Sequence, residues 1–312
     1  MRKKILMSFV LLSFMVFLCP LAKSQRNLVT IPTDCQSITD ALQMVDSSGR
    51  INVVNGTYYE YPKITNSVSL MSLNSSRFGV TIDGKYKNYY PDPCQIGVYN
   101  ADNVTVSGFT FHTTFISYID MGIYAENCKN LLIKNCYFDE TCLFGIYLYN
   151  VSNAVIYNNY VDAYEMPLMI YKCTNITVIY NTLKDAYEQF QFYHSRNIVF
   201  HHNNVFNDEY STHPTSDYPQ VKNTTCQWDD GHGEGNYWSD YAERYPNATN
   251  NGLIWSTPYQ IEPDDIDGRE HFDSYPLVTD PELPTPRRFD FEDFMQYYLR
   301  KGLLIMMSEE RG

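Results

Sequence analysis

Basic side chains are scarce in this chain of 312 residues: 23 Lys and Arg stand against 36 Asp and Glu, for a formal net charge of −13. Nucleic acid rewards a basic footprint, so that class of partner is excluded. An anionic polysaccharide such as pectin would need a cation bridge to bind so acidic a surface. Apolar spacing of three and four is missing from the middle of the chain, which excludes helical repeats, and no leucine-repeat signature replaces it. The C-terminal stretch is too interrupted by charge to span a bilayer.

What the middle does contain is a register. Asn103, Asn130, Asn153, Asn175 and Asn197 recur at steps of 27, 23, 22 and 22 residues, each in the same apolar surroundings. Seven and five residues before each lie pairs such as Ile146 and Leu148 or Phe190 and Phe192. One, three and eight residues after each lie sets such as Ile176, Val178 and Leu183. Apolar residues at every second position are strand periodicity. A unit of about 22 residues cannot bury its apolar face alone and must stack on its neighbours. The expected fold is therefore all-β: a single-stranded right-handed parallel β-helix of about 22–23 residues per coil, with rungs about 4.8 Å apart. Asn tolerates the left-handed backbone of a corner, and its amide bonds to the Asn above and below. The row is read as a structural ladder, with Asn103 and Asn175 on its inner side. Asn135, Asn158, Asn181 and Asn203 are read as a second amide row.

A coil of strands has open edges that need covers. Residues 36–46 are expected to supply one as a helix, with Ile38, Leu42 and Val45 on one face and Ser37 with Asp40 as a capping box. INVVNGTYYEYPKI from residue 51 is read as the first rung. Residues 206–280, where the repeat fades, are expected to close the far end. The domain reading is a signal over 1–24, a capped β-helix over 25–226, a closing segment over 227–280, and a Pro-rich linker with an amphipathic helix over 281–312.

Residues 1–24 read as an export signal: Arg2, Lys3 and Lys4 precede an apolar run from Ile5 to Cys19, and Ala22 and Ser24 offer a small-residue cleavage site. An uncleaved anchor is the alternative. The expected location is secreted, periplasmic or cell-surface, and cleavage would take the net charge to −17. Export permits disulfides. Seven cysteines remain, an odd number, so at least one has no partner within the chain. Cys128 and Cys173 lie two rungs apart, beyond disulfide reach; Cys136 with Cys142 and Cys35 with Cys94 are open pairings. Asn-x-Ser/Thr occurs at Asn55, Asn74, Asn103, Asn150, Asn175, Asn223 and Asn247. Asn103 and Asn175 are expected to be poor glycan acceptors because of their place in the ladder.

The repeats from residue 28 to about 205 resemble the parallel β-helix repeats of the pectin-lyase-like superfamily. Further on, Gly235-Asn236-Tyr237-Trp238-Ser239-Asp240-Tyr241, Thr257-Pro258-Tyr259 and Asp273-Ser274-Tyr275-Pro276-Leu277 resemble the closing segment of NosD-type β-helix proteins. That resemblance implies an exported protein of a family named for periplasmic copper binding, many members of which lack that role. The chain departs from the pattern where a carboxylate-rich loop usually precedes the Thr-Pro-Tyr: here stand Asn250-Asn251-Gly252-Leu253-Ile254-Trp255-Ser256.

Several residue sets suggest chemistry. Four residues before each ladder Asn stand Tyr99, Glu126, Tyr149, Tyr171 and Tyr193, with Tyr124 and Tyr147 two residues earlier in their own repeats. Stacking would make an outward tyrosine strip whose flat apolar faces and polar tips suit sugar rings; aromatic pairing within the sheet is the plain structural alternative. Asp139-Glu140, Asp162 with Glu165, Asp185 with Glu188 and Asp208-Glu209 form an acidic loop row. In it Asp162 and Asp185 are the candidates for an acid and base pair in glycoside hydrolysis. Asp229-Asp230-Gly231-His232-Gly233 resembles pieces of pectin-degrading hydrolases, but in contiguous form, and is read as a turn. For metals, Asp264, Asp265 and Asp267 are a candidate calcium cluster, although their spacing is incomplete for a calcium loop. His194, His201, His202, His213 and His232 offer imidazoles for copper, with His201 and His202 expected on opposite faces of one strand. Phe291, Phe294, Met295, Tyr298, Leu299, Leu303 and Met306 fall at helical spacing, giving residues 289–307 a surface that docks on the coil, a partner or a membrane.

The leading reading is a non-enzymatic envelope or extracellular protein that binds polysaccharide or another cell-envelope glycan along the tyrosine strip and requires no cofactor. A polysaccharide hydrolase or lyase using the acidic row, and a copper-handling accessory protein, are the alternatives.

Overall fold

The computed structural model describes residues 26–73, 78–84, 94–113, 121–184, 189–206, 220–261 and 269–281. The expected export signal over residues 1–24, Asp185, Glu188, Asp208, Glu209, His213, the Asp264 cluster and the tail from residue 282 lie outside the described residues. Within them the chain is an all-β right-handed parallel β-helix of about seven turns. Three parallel sheets of nine, seven and eight strands form its sides. The first carries Lys129–Lys134, Ser152–Tyr157 and Thr174–Ile179; the second carries Met121–Glu126, Phe144–Tyr149 and Met166–Tyr171; the third carries Tyr137–Phe138, Tyr160–Asp162 and Thr182–Lys184.

Register turns the sequence period into vertical neighbours. Leu131 pairs with Ala154 and Ala154 with Ile176, while Ile146 pairs with Leu168 and Leu168 with Phe190. One apolar cluster fills the interior from Val29 to Ile261. Phe111 and Phe138 stack at 4.4 Å between ring centres inside the third sheet. Burying one such ring stabilises by about 1.5–3 kcal/mol.

The asparagines stack in four rows. In the anticipated row, Asn130 donates from Nδ2 to Asn103 Oδ1 at 2.8 Å, Asn153 to Asn130 at 3.2 Å, Asn175 to Asn153 at 3.0 Å and Asn197 to Asn175 at 3.0 Å. All five have positive φ, between 53° and 58°. This ladder is on the outside: Asn103, Asn175 and Asn197 are exposed. The inner placement expected for Asn103 and Asn175 is thus corrected, and the argument against their glycosylation falls with it. A further outer row, Asn100, Asn127 and Asn150, runs beside it at the same corner, between the second and first sheets.

The second row needs the larger correction. Asn158 donates to Asn135 at 2.8 Å, but Asn181 and Asn203 belong to a different column, that of Asn159. Asn159, Asn181, Asn203 and Asn236 are fully buried. Each of the first three donates to the Oδ1 of the next, at 3.0, 3.1 and 3.1 Å. Each Oδ1 also accepts the backbone N–H one coil earlier: Cys136 onto Asn159, Asn159 onto Asn181, Asn181 onto Asn203. Buried backbone donors must be satisfied, and here a side chain does it at every turn.

The N-terminal cover is smaller than expected. The helix is only Ile38–Leu42, and Val45 starts a strand of the first sheet. Ser37 caps it by accepting from Asp40 N at 2.9 Å. Glu60, from the next coil, takes the remaining N–H groups of Ile38 and Thr39 at 2.7 and 2.9 Å. A strand, Arg26–Ile31, precedes the helix and pairs with Val45–Val53, so the first rung starts before residue 51.

At the far end two of the three motifs that prompted the NosD-type resemblance meet at Asp273, and the third packs against them through Tyr259. This carboxylate is fully buried. Its Oδ2 accepts from Asn236 N at 2.7 Å, Asn236 Nδ2 at 3.2 Å and Trp238 Nε1 at 2.9 Å, and its Oδ1 from Tyr275 N at 3.1 Å. Gly235 is obligatory beside it, because a Cβ there would stand 1.9 Å from Asp273 Oδ1. Tyr259 stacks on Trp238 at 4.1 Å and donates to Asp240 at 3.0 Å. The segment Asn250–Ser256 turns on its amides: Asn250 Oδ1 accepts from Gly252 N, and Asn251 Oδ1 from Leu253 N and Ile254 N.

Candidate functional site

The tyrosines occupy two adjoining columns on the outer face of the second sheet. One runs Tyr99, Glu126, Tyr149, Tyr171, Tyr193, Lys222; the other runs Gly97, Tyr124, Tyr147, Met169, Gln191, Gln220. Strand alternation puts them there, since Val98, Ala125, Leu148, Ile170 and Phe192 between the columns are all core residues. The six tyrosines are half-buried. Their rings touch along and across the columns: Tyr99 to Tyr124 at 5.7 Å, Tyr124 to Tyr147 at 5.3 Å, Tyr149 to Tyr171 at 5.6 Å. Gly97 makes room for this, because a Cβ there would lie 2.4 Å from the Tyr99 ring.

The strip is neither purely aromatic nor uniform. Glu126 interrupts the first column and accepts from Tyr124 OH at 3.2 Å. Burial first, and then the Glu126 charge, push the Tyr124 phenol up; burial does the same for Tyr147. Both rings therefore stay neutral donors through the physiological range. Toward the C-terminal end cations cover the ring faces: Lys172 Nζ lies 5.0 Å from the Tyr171 centroid and 5.5 Å from that of Tyr149, and Lys222 Nζ lies 5.3 Å from that of Tyr193. Tyr193 OH donates to Gln220 Oε1. The sequence pattern located the tyrosines but gave no sign of Lys172 and Lys222, which sit at or beside the corner where spacing says least.

Of the acidic row, Asp139, Glu140, Asp162 and Glu165 fall within the described residues. Asp162 pairs in register with Lys184, on the outer face of the third sheet. Asp139, one coil earlier, accepts from His112 Nδ1 at 2.6 Å, from Thr141 N at 3.0 Å and from Thr141 Oγ1. Beside this polar column runs an unanticipated aromatic one: Phe78 against Tyr137 at 5.2 Å, and Tyr137 stacked on Tyr160 at 5.1 Å. Period-two alternation carried that signal too, in the Tyr-x-Asp of residues 137–139 and 160–162.

The histidine expectation is overturned. His202 is not on a strand face but at a corner with φ 53°, and its Nδ1 lies 2.6 Å from His201 Nδ1. One ring must donate to the other. His202 Nε2 meets Glu234 Oε2 at 2.8 Å. Burial, and then the neighbouring His202, push His201 down to about 3 despite the opposing Asp230 charge, so it stays neutral. Among the described residues no three of His, Cys, Asp and Glu group as a metal site would require. Asp229 and Asp230 accept from the N–H groups of Gly231, His232, Gly233 and Glu234, which makes the Asp-Asp-Gly-His-Gly segment a turn. The seven cysteines from Cys35 onward form no disulfide, so neither open pairing is made.

Comparison with known proteins falls on the coil. The family described as the right handed beta helix region matches residues 92–226. No curated protein matches the chain. Solved structures that resemble it include three polysaccharide-acting proteins. The Azotobacter vinelandii mannuronan C-5 epimerase AlgE6 A-module is 10% identical over 61% of this chain and 54% of its own, with a TM-score of 0.39. An alginate lyase from Paenibacillus sp. str. FPU-7 is 10% identical over 68% of this chain and 86% of its own, with a TM-score of 0.38. The pectate lyase Bsp165PelA from Bacillus sp. N165, in complex with trigalacturonate, is 14% identical over 62% and 72%, with a TM-score of 0.36. Similarity this low carries no argument about substrate.

Proposed function

We propose that this protein binds an extended glycan along the outer face of its second sheet and does no chemistry on it. The observation that carries the reading is the pair of adjoining columns, in which six half-buried tyrosines offer ring faces and hydroxyls on successive coils. Rungs about 4.8 Å apart suit a polymer that presents repeated rings. A neutral or mildly acidic glycan fits best: the face carries Glu126 at one end, and Lys172 and Lys222 at the other. An exported or envelope location follows from the signal over residues 1–24 and belongs to the same proposal.

Hydrolysis is the weaker reading because Asp139 is committed to His112 and Thr141. A retaining or inverting pair needs two carboxyl groups facing one bond.

Glycan-array binding of the mature chain tests the proposal. Tyr149→Ala and Tyr171→Ala should each weaken binding about tenfold, which is about 1.4 kcal/mol, while Tyr160→Ala on the third sheet leaves it unchanged. Binding undiminished in both second-sheet variants removes that face from consideration. Products appearing on incubation with the bound glycan would refute the non-enzymatic part.

A further inference from the structure

The net charge of −13 is an average over the chain, and one edge of the tyrosine strip has the opposite sign. Between residues 141 and 228 the only acids among the described residues are Asp162 and Glu165. Asp162 is on the third sheet, and Glu165 is where the chain turns from it into the second. Over the same span Lys172, Arg196 and Lys222 gather with His194 at the corner between the second and first sheets. They occupy three successive coils and so span about 10 Å along the axis. Lys172, His194 and Arg196 are exposed, and none of the three cations makes an ion pair with a described acid. Attraction between exposed charges fades over about 8 Å at physiological salt. A ligand at this corner therefore meets the local cations rather than the acids elsewhere on the chain.

The backbone shows what Lys172 displaces. The corner column runs Asn100, Asn127, Asn150, Lys172, His194, Asn223, and all six have positive φ, between 47° and 56°. Asn suits that conformation better than Lys, and an Asn at position 172 would continue the amide row of Asn127 and Asn150. Departures from local preference mark functional positions. At the corner between the first and third sheets Tyr180 also ends an amide row, but its ring packs against Tyr157 at 6.1 Å and His202 at 5.0 Å. Lys172 instead holds its ammonium over Tyr149 and Tyr171, as Lys222 does over Tyr193. The rings thus keep both cations at the face of the strip. His194 stands edge-on to Tyr171 at 5.6 Å. Its Nδ1 accepts from Asn223 Nδ2 at 3.0 Å, which leaves Nε2 as the ring's donor.

We infer that Lys172, His194 and Lys222 set the specificity of the strip by taking negatively charged groups (sulfate, phosphate or carboxylate) carried on the glycan. The inference rests on the glycan reading above. It also fixes a direction. The charged groups lie toward Lys222, and an uncharged stretch lies over Tyr124 and Tyr147, where Glu126 turns anions away. A positive edge of this kind removes the need for a cation bridge that the net charge implies.

Three polymers on one extended backbone test it: uncharged hydroxyethyl cellulose, carboxymethyl cellulose and cellulose sulfate. The mature full-length chain should hold at least one charged polymer about tenfold more tightly than the neutral one, with the advantage fading as salt is raised. The better-held polymer names the charged group. Made in a host without N-glycosylation, Lys172→Asn continues the amide row. Its Tm should therefore stay at or above that of the wild type, while binding of the charged polymer drops about fivefold. With His194→Asn and Lys222→Gln added, the preference for charge should disappear. Lys129→Gln, at the same corner on the Glu126 coil, should change nothing. Equal affinity for neutral and charged polymers in the wild type, or a preference for charge that survives the triple variant, overturns the inference and leaves the tyrosine strip standing. If Tyr149→Ala and Tyr171→Ala bind every polymer as the wild type does while the triple variant loses its preference, the strip falls and the corner is upheld. Single-stranded poly(dT) held as tightly as cellulose sulfate would overturn the glycan as the class of ligand.

Discussion

Asn159, Asn181 and Asn203 make one set of hydrogen bonds three times over, whereas Asp273 makes its four only once. The coil and its closure are both polar at their centres, but they spread the burden differently. In the coil a neutral amide meets the same donors and acceptors on every turn, and losing one turn leaves the others intact. In the closure a single buried charge joins Asn236, Trp238 and Tyr275 from two segments about 37 residues apart. Repetition makes the first tolerant; uniqueness makes the second brittle.

Breaking the closure should have the largest effect. Asp273→Ala leaves two buried donors, Asn236 N and Trp238 Nε1, without an acceptor and should cost about 3–5 kcal/mol. Gly235→Ala should cost at least about 2–3 kcal/mol by driving a methyl into the same carboxylate. Thermal unfolding followed by tryptophan fluorescence reads both, since Trp228 and Trp238 are in the closing core. A loss below about 1 kcal/mol in either variant would mean that the cap is not held there.

Within the coil the same substitution should give two answers. Asn181→Ala orphans Asn159 N and Nδ2 in the interior and should cost about 2–3 kcal/mol. Asn153→Ala, in the exposed ladder, should cost no more than about 1 kcal/mol, because water replaces the lost partners. Denaturant midpoints for the pair measure the difference between inner and outer rows; equal losses would contradict it.

Proton linkage gives the finest distinction. Burial pushes Asp273 up from 3.8 to about 6 against its four donors. Its stabilisation is complete below pH 3.8 and is lost as pH rises through 6. His201 runs the other way: pushed down from 6.5 to about 3, it contributes above pH 6.5 and loses that contribution as pH falls toward 3. Between pH 7 and pH 5 the histidine should cost about 2 kcal/mol and the carboxyl should return about 1 kcal/mol, so the wild type weakens slightly. His201→Gln should reverse the sign, with stability rising as pH drops to 5. Chemical unfolding at the two pH values checks it; a variant that weakens as much as the wild type would clear His201 of the effect.

Much of the coil could be read from residue spacing, because one period governs every interior position. Asn153 and Asn175 follow as vertical neighbours, and Ile146 and Leu148 as core positions, for that reason alone. Spacing failed where two residue columns share a period. Asn158 and Asn159 are adjacent, and steps of 22 or 23 residues lead from either to Asn181. Only the corner, with Asn158 in the left-handed region and Asn159 turned inward, tells them apart. His202 failed similarly: as a corner residue it escapes the alternation that governs strands. Tyrosine positions on the second sheet were legible; the lysines over their faces and the His112–Asp139 pair were not, because corner and loop side chains obey no period. The hydrogen bonds that join Asn236, Trp238 and Tyr275 to Asp273 also lie outside any repeat. The motifs marked the segment without revealing what united it.

The inner amide row has a direction. Every Nδ2 points onward along the axis, and the last amide, Asn236, delivers its hydrogen to a carboxylate that can only accept. A whole coil of some two dozen residues, spliced in between Asn159 and Asn203, would find its upstream and downstream partners waiting, so the rod is free to lengthen. Turned end for end, the same coil would present acceptor to acceptor at the anion. The molecule is thus modular in size but not in orientation, with its terminus acting as the reference from which every amide below it is aligned.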